Sequence, residues 1–153
     1  MKKWLLILSL SVLLSAEDVV HKVVFDLTTG DFKTFEKIIL SGIPVQKTHF
    51  ESKMEELDVS VVIHGDAYKF FVKNLAKSPY KNDTVLAKLQ ETFLKRLSGS
   101  VNTYKVSYFM CESGMKRNKI LKENVYDFVT LVPTSTIGLI EKQNEGYAYI
   151  PAR

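Results

Sequence analysis

Residues 57–76 read LDVSVVIHGDAYKFFVKNLA. The first half, Leu57 to Gly65, is apolar and rich in β-branched side chains, which is the composition of a buried strand. The second half, Asp66 to Ala76, spaces Tyr68, Phe70, Phe71, Val72 and Leu75 as a helix would, until Ser78 and Pro79 close it. A strand that passes through a His-Gly turn into a helix is the repeating step of an α/β domain.

The same step recurs on both sides. Val19 to Leu27 (VVHKVVFDL) is a strand that runs into the turn residues Thr28, Thr29, Gly30 and Asp31. Phe32, Phe35, Ile38 and Ile39 then recur at helical spacing, and Ser41, Gly42 and Pro44 are expected to stop that helix. The polar stretch from Val45 to Glu56 has room for a short further piece.

Beyond the opening stretch, Asn82 or Asp83 can cap a helix whose stripe is Leu86, Leu89, Phe93 and Leu97, with Gly99 as its expected end. Val101 to Met110 reads as a third strand, with Cys111 immediately after it and a short helix from Glu112 to Asn118. Asp127 to Val132 is a fourth strand, Thr134 to Asn144 a helix, and Gly146 to Ile150 a fifth strand. Five strands alternating with helices predict an α/β fold with a mostly parallel sheet, since each helix is long enough to carry the chain back over it.

The first residues have the pattern of a secretory signal: Lys2 and Lys3, an apolar run from Trp4 to Leu14, then the small pair Ser15-Ala16. We expect 1–16 to be a signal peptide and 17–153 the functional domain. The apolar run is about half of the roughly 20 residues a membrane span needs, so no stable membrane insertion is expected after cleavage. No cysteine follows it to be lipidated, and export to the periplasm is the expectation. The chain carries 21 basic and 17 acidic residues, and cleavage would remove two basic ones, leaving 19 against 17. A balance of +2 is too small to imply a nucleic-acid partner.

Three histidines and one cysteine are scattered without metal-ligand spacing, so neither a metal nor another cofactor is expected. There is no glycine-rich phosphate loop and no Gly-x-Ser-x-Gly elbow. In parallel sheets ligands bind outside the carboxyl ends of the strands, where Asp26, His64 and Cys111 fall. Cys111 opens a helix, so free N–H groups favour its thiolate; Lys116 and Arg117 add positive potential and Glu112 opposes it. Two readings of Cys111 stand, a reactive thiol and a packed small hydrophobe. His64 could hydrogen-bond the thiol or a substrate, or serve only its own turn. Tyr147 and Tyr149 alternate as packing aromatics do, with stacking on a ligand or a neighbouring subunit the other use.

Three segments together resemble the DsrE/DsrF-like proteins, specifically their exported single-domain branch. These are VVIHGDAYKFF (61–71), the Cys111 stretch, and VPTSTIGLIEKQNEGYAYI (132–150), which looks like the family's ending, a Val-Pro-Ser turn that opens a helix followed by a Gly-Tyr-Ala-Tyr segment. The resemblance implies a three-layer α/β/α sandwich that assembles as a homotrimer or homohexamer. For cytoplasmic members it also implies a cysteine that carries sulfane sulfur as a persulfide in relay pathways, and the matching residue is Cys111; a sulfur donor or acceptor protein is the expected partner, no cofactor is needed, and His64, Ser113 and Lys116 are the candidate neighbours of the thiol. Exported members read Cys-x-Asn-Thr/Ser-Leu/Met-Lys, whereas this chain has Ser113 and Gly114 before Met115 and Lys116. A rival from another class is a non-enzymatic module that binds a small ligand or assembles with partners, its cysteine structural.

Overall fold

The computed structural model describes residues 19–153; the expected signal peptide, 1–16, lies outside them. The described chain folds around one five-stranded sheet of β1 (Val20–Leu27), β2 (Glu56–Ile63), β3 (Ser107–Cys111), β4 (Val129–Val132) and β5 (Ala148–Ala152), in the order β4-β3-β2-β1-β5. Every pairing is parallel. The sheet is therefore buried on both faces at its centre, and Val59, Val61, Val62 and Ile63 of β2 are fully inaccessible.

Alternation along the strands divides the interior in two. Val23, Phe25 and Leu27 of β1, Val59, Val61 and Ile63 of β2, and Tyr108 and Met110 of β3 face the larger core. There they meet Phe35, Ile39 and Ile43 from the first helical arm, and Phe93 and Leu97 of α3 (Thr84–Asn102). Three phenylalanines interlock at its centre: Phe35 stacks on Phe70 with ring centroids 4.0 Å apart, and Phe93 meets both edge-on. On the opposite face Val24, Val62 and Tyr147 form a smaller core with Phe109 and Leu139, the latter from α5 (Ser135–Asn144). Helices thus cover both faces, as three layers require.

The first helical arm does not stop where Ser41, Gly42 and Pro44 suggest. It runs as α1 (Phe32–Phe35), a π-helical segment Glu36–Gly42 and α2 (Ile43–Glu51), with Pro44 at the start of α2. A proline breaks an α-helix because it lacks an N–H and its ring strikes a carbonyl one turn back. The wider π turn just before it changes that spacing, so the chain keeps its helical path. Asp31 caps α1 by accepting from Thr34 N at 2.7 Å.

Other boundaries move as well. The residues after His64 wind as a 3-10 helix, Gly65–Phe71, rather than an α-helix to Ala76, because Val72 leaves to form an antiparallel bridge with Val125. Gly65 makes that departure with φ +63°, a conformation that suits glycine. Helix α3, capped by Asp83, passes through Gly99 to Asn102, and Lys105 at φ 55° turns the chain into β3. The third strand consequently starts at Ser107, and Cys111 is both its last residue and the N-cap of α4 (Glu112–Arg117). The fifth strand is shifted to Ala148–Ala152 by the turn at Gly146, φ 89°.

Candidate functional site

The connections from β3 and β4 leave the sheet in opposite directions. Met115 of α4 and Ile120 beyond it sink into the larger core, whereas α5 crosses the other face. A crevice opens between neighbouring strands where their connections diverge in this way. Cys111 stands at that point, paired in register with Val132.

The thiol is 7% exposed and ringed by donors. Gly114 N–H points at Sγ from 3.4 Å, and the backbone N–H and hydroxyl of Ser135 approach it from the first turn of α5. The Tyr68 hydroxyl donates to the Cys111 carbonyl at 3.0 Å and also faces the sulfur. Burial pushes the thiol up, but these four donors outweigh it and hold Cys111 below the ordinary cysteine value. Burial, with the cysteine alongside, drives the Tyr68 hydroxyl the other way, so it stays protonated and able to donate.

Gly114 makes the Tyr68 contact possible. A Cβ at this position would stand 2.1 Å from the Tyr68 hydroxyl oxygen and 3.0 Å from Cζ. The space a side chain at 114 would take is occupied by the hydroxyl of a tyrosine 46 positions earlier in the chain.

The other expected neighbours are placed differently from one another. Ser113 is exposed, and its backbone N–H donates to Pro133 O at 3.2 Å, tying α4 to the turn before α5. Lys116 projects into solvent and pairs with Glu112 at 2.8 Å. It therefore answers the carboxylate next to the thiol rather than the thiol itself. That exposed pair and its hydrogen bond hold Glu112 below the usual carboxylate range.

His64 follows Ile63, which pairs with Met110, so His64 and Cys111 are side by side on adjacent strands. Its Nε2 meets Asp26 Oδ1 at 2.5 Å, and the other oxygen of Asp26 accepts from the Tyr149 hydroxyl at 2.6 Å. Asp26 is buried, the His64 side chain is about one quarter exposed and Tyr149 more so. Of the two alternating tyrosines, Tyr147 packs in the smaller core and donates to Asp58 at 2.5 Å, whereas Tyr149 belongs to this edge.

Asp26, His64 and Cys111 are thus brought to one edge of the sheet, as their strand-end positions predict. Sequence reasoning missed Tyr68, Ser135 and the bond from Tyr149. The usable signals were the unoccupied side-chain position at Gly114 and the turn Val-Pro-Thr-Ser, whose serine lies on the first turn of a helix. Among the described residues no group of three His, Cys, Asp or Glu side chains is arranged to hold a metal ion.

The chain belongs to the DsrE/DsrF-like family, whose model matches residues 22–152. An uncharacterized protein of Aquifex aeolicus (strain VF5) is 36% identical over 154 aligned residues, covering 99% of this chain and 64% of that protein. The chain therefore spans somewhat less than two thirds of that relative. The solved structure of a protein of unknown function, MTH1491 from Methanobacterium thermoautotrophicum, matches 86% of this chain and 98% of its own with a TM-score of 0.62 at 17% identity. That likeness is one of fold.

Proposed function

We propose that the protein is a sulfur carrier of a relay, in which Cys111 accepts sulfane sulfur as a persulfide and yields it to an acceptor thiol. The observation that carries this reading is a nearly buried thiol at the end of β3 that accepts the Gly114 N–H at 3.4 Å and is held below the ordinary cysteine value, with Tyr68 and Ser135 beside it. A thiolate is the nucleophile that attacks a donor sulfur, and the same donors suit the anion of the persulfide it becomes. Lys116 supports the thiolate by engaging Glu112. Family membership supports sulfur-relay chemistry in general.

Export to the periplasm and assembly as a homotrimer or homohexamer belong to the same proposal. The pattern of residues 1–16 supports the first. Ile137 and Ile140 on α5, 39% and 51% exposed, support the second, because a second copy would cover them.

One observation favours a binding module instead. A mainly apolar groove of about 330 Å³ lies beside β1 and β5, lined by Val23, Phe50, Leu57, Ala148 and Ile150 with His21, Lys22 and Gln46 at its polar side, and with no contribution from Cys111. Incubation of residues 17–153 with a persulfide donor separates the two readings. A carrier gains the mass of one sulfur atom, and the Cys111→Ala variant gains none. A protein without the adduct, whose thiol is inert to alkylation from about pH 6 to 9, is a binding module.

A further inference from the structure

We propose that His64 is the general acid of sulfur transfer, protonating the thiolate that leaves the donor, with Asp26 and Tyr149 as its positioning residues. This rests on the carrier reading above. Asp26 is a buried carboxylate on β1 whose two oxygens are divided between a ring nitrogen from the end of β2 and a hydroxyl from β5. Three strands thus meet at one carboxylate, which holds the imidazole. A carboxylate this buried needs partners, yet a hydroxyl and a backbone donor would serve that need. The histidine is partly open to solvent and is the next-strand neighbour of the thiol.

Nε2 is held by Asp26, and Nδ1 has no hydrogen-bond partner among the described residues. Nε2 of the ring bonds Asp26 from β1, whose other oxygen takes Tyr149 of β5 with Arg153 beyond it, and the backbone of β3 ending at Cys111 runs alongside.

The transfer balances without an oxidant. The Cys111 thiolate attacks the outer sulfur of R–S–SH, forming one S–S bond while the donor S–S bond breaks. The electron pair leaves on R–S⁻, which takes the Nδ1 proton of the charged imidazole. The products are the Cys111 persulfide, R–SH and a neutral His64. Such a proton matters when R–SH is a weak acid, as in alkyl persulfides, and little when the leaving thiolate is stable on its own.

That asymmetry is the test. Rates of Cys111 with an aromatic disulfide and with an alkyl disulfide are compared in the full domain, for wild type and His64→Gln. The aromatic disulfide should react within about twofold in both proteins, and the alkyl disulfide on the order of a hundred-fold more slowly in the variant. The alkyl-to-aromatic rate ratio is the readout, and it should be lower in His64→Gln than in wild type. Thiolate formation cancels in this ratio. Asp26→Asn should shift the ratio in the same direction as His64→Gln. Equal slowing toward both disulfides would make His64 a shaping residue only, and unchanged rates would make it a bystander; either overturns the proposal. A histidine-dependent ratio in a protein that takes no sulfur from a persulfide would uphold the acid and overturn the carrier reading.

Discussion

Gly114→Ala tests whether the Tyr68 hydroxyl is fitted against the backbone beside Cys111. The added methyl would lie 2.1 Å from the hydroxyl oxygen, well inside contact distance. The tyrosine is 1% exposed and walled in by the larger core, so it cannot simply swing outward. Overpacking of this kind costs about 1–3 kcal/mol, and losing the bond to the Cys111 carbonyl adds about 1 kcal/mol. Replacing glycine by alanine within a helix returns about 0.5–1 kcal/mol, which leaves a net loss of about 2 kcal/mol. Urea denaturation should show a lower midpoint at unchanged slope. Adding Tyr68→Phe removes the colliding oxygen, so the double variant should be more stable than Gly114→Ala alone, with a coupling of about 1 kcal/mol or more. A single variant as stable as wild type, or stabilised by its better helix former, would refute the reasoning.

Two further outcomes follow from the site and its supports. Alkylation of Cys111 by iodoacetamide should rise with pH at an inflection below the ordinary thiol value of about 8.5, and Ser135→Ala, which removes one donor, should move it upward. Because the folded value is depressed, the thiolate's contribution to stability is complete above the unfolded value and disappears as pH falls through the folded one. Asp83→Ala removes the acceptor of Leu86 N at 2.8 Å and should lower stability by about 1 kcal/mol, read from the same denaturation curves.

Much of the architecture was legible because it depends on local pattern. The β-branched runs at 20–27 and 57–63 could hardly be anything but buried strands, and their ends carry Asp26 and His64 to the carboxyl end of the sheet. The strand end at Cys111 was legible for the same reason. The errors arose where tertiary structure decides. Pro44 would end an α-helix, but a π segment precedes it, and nothing in the hydrophobic period announces that change. Val72 continues a helical stripe in sequence, yet leaves it to pair with Val125, 53 residues on. The thiol's donors were least legible of all, since Tyr68 and Ser135 reach Cys111 only once three connections have been folded over the sheet. Gly114 is the exception in principle: a missing side chain beside a cysteine is a visible gap, though only the fold says which residue fills it.

The account stands on Cys111 as the atom that holds and passes on sulfur. A single-turnover experiment with an isotope-labelled sulfane-sulfur donor tests it most directly. The label should appear on the peptide containing Cys111 in wild type, be absent from Cys111→Ala, and move to an acceptor thiol when one is added. Label that never reaches that peptide, or that reaches it and cannot be transferred, would contradict the claim.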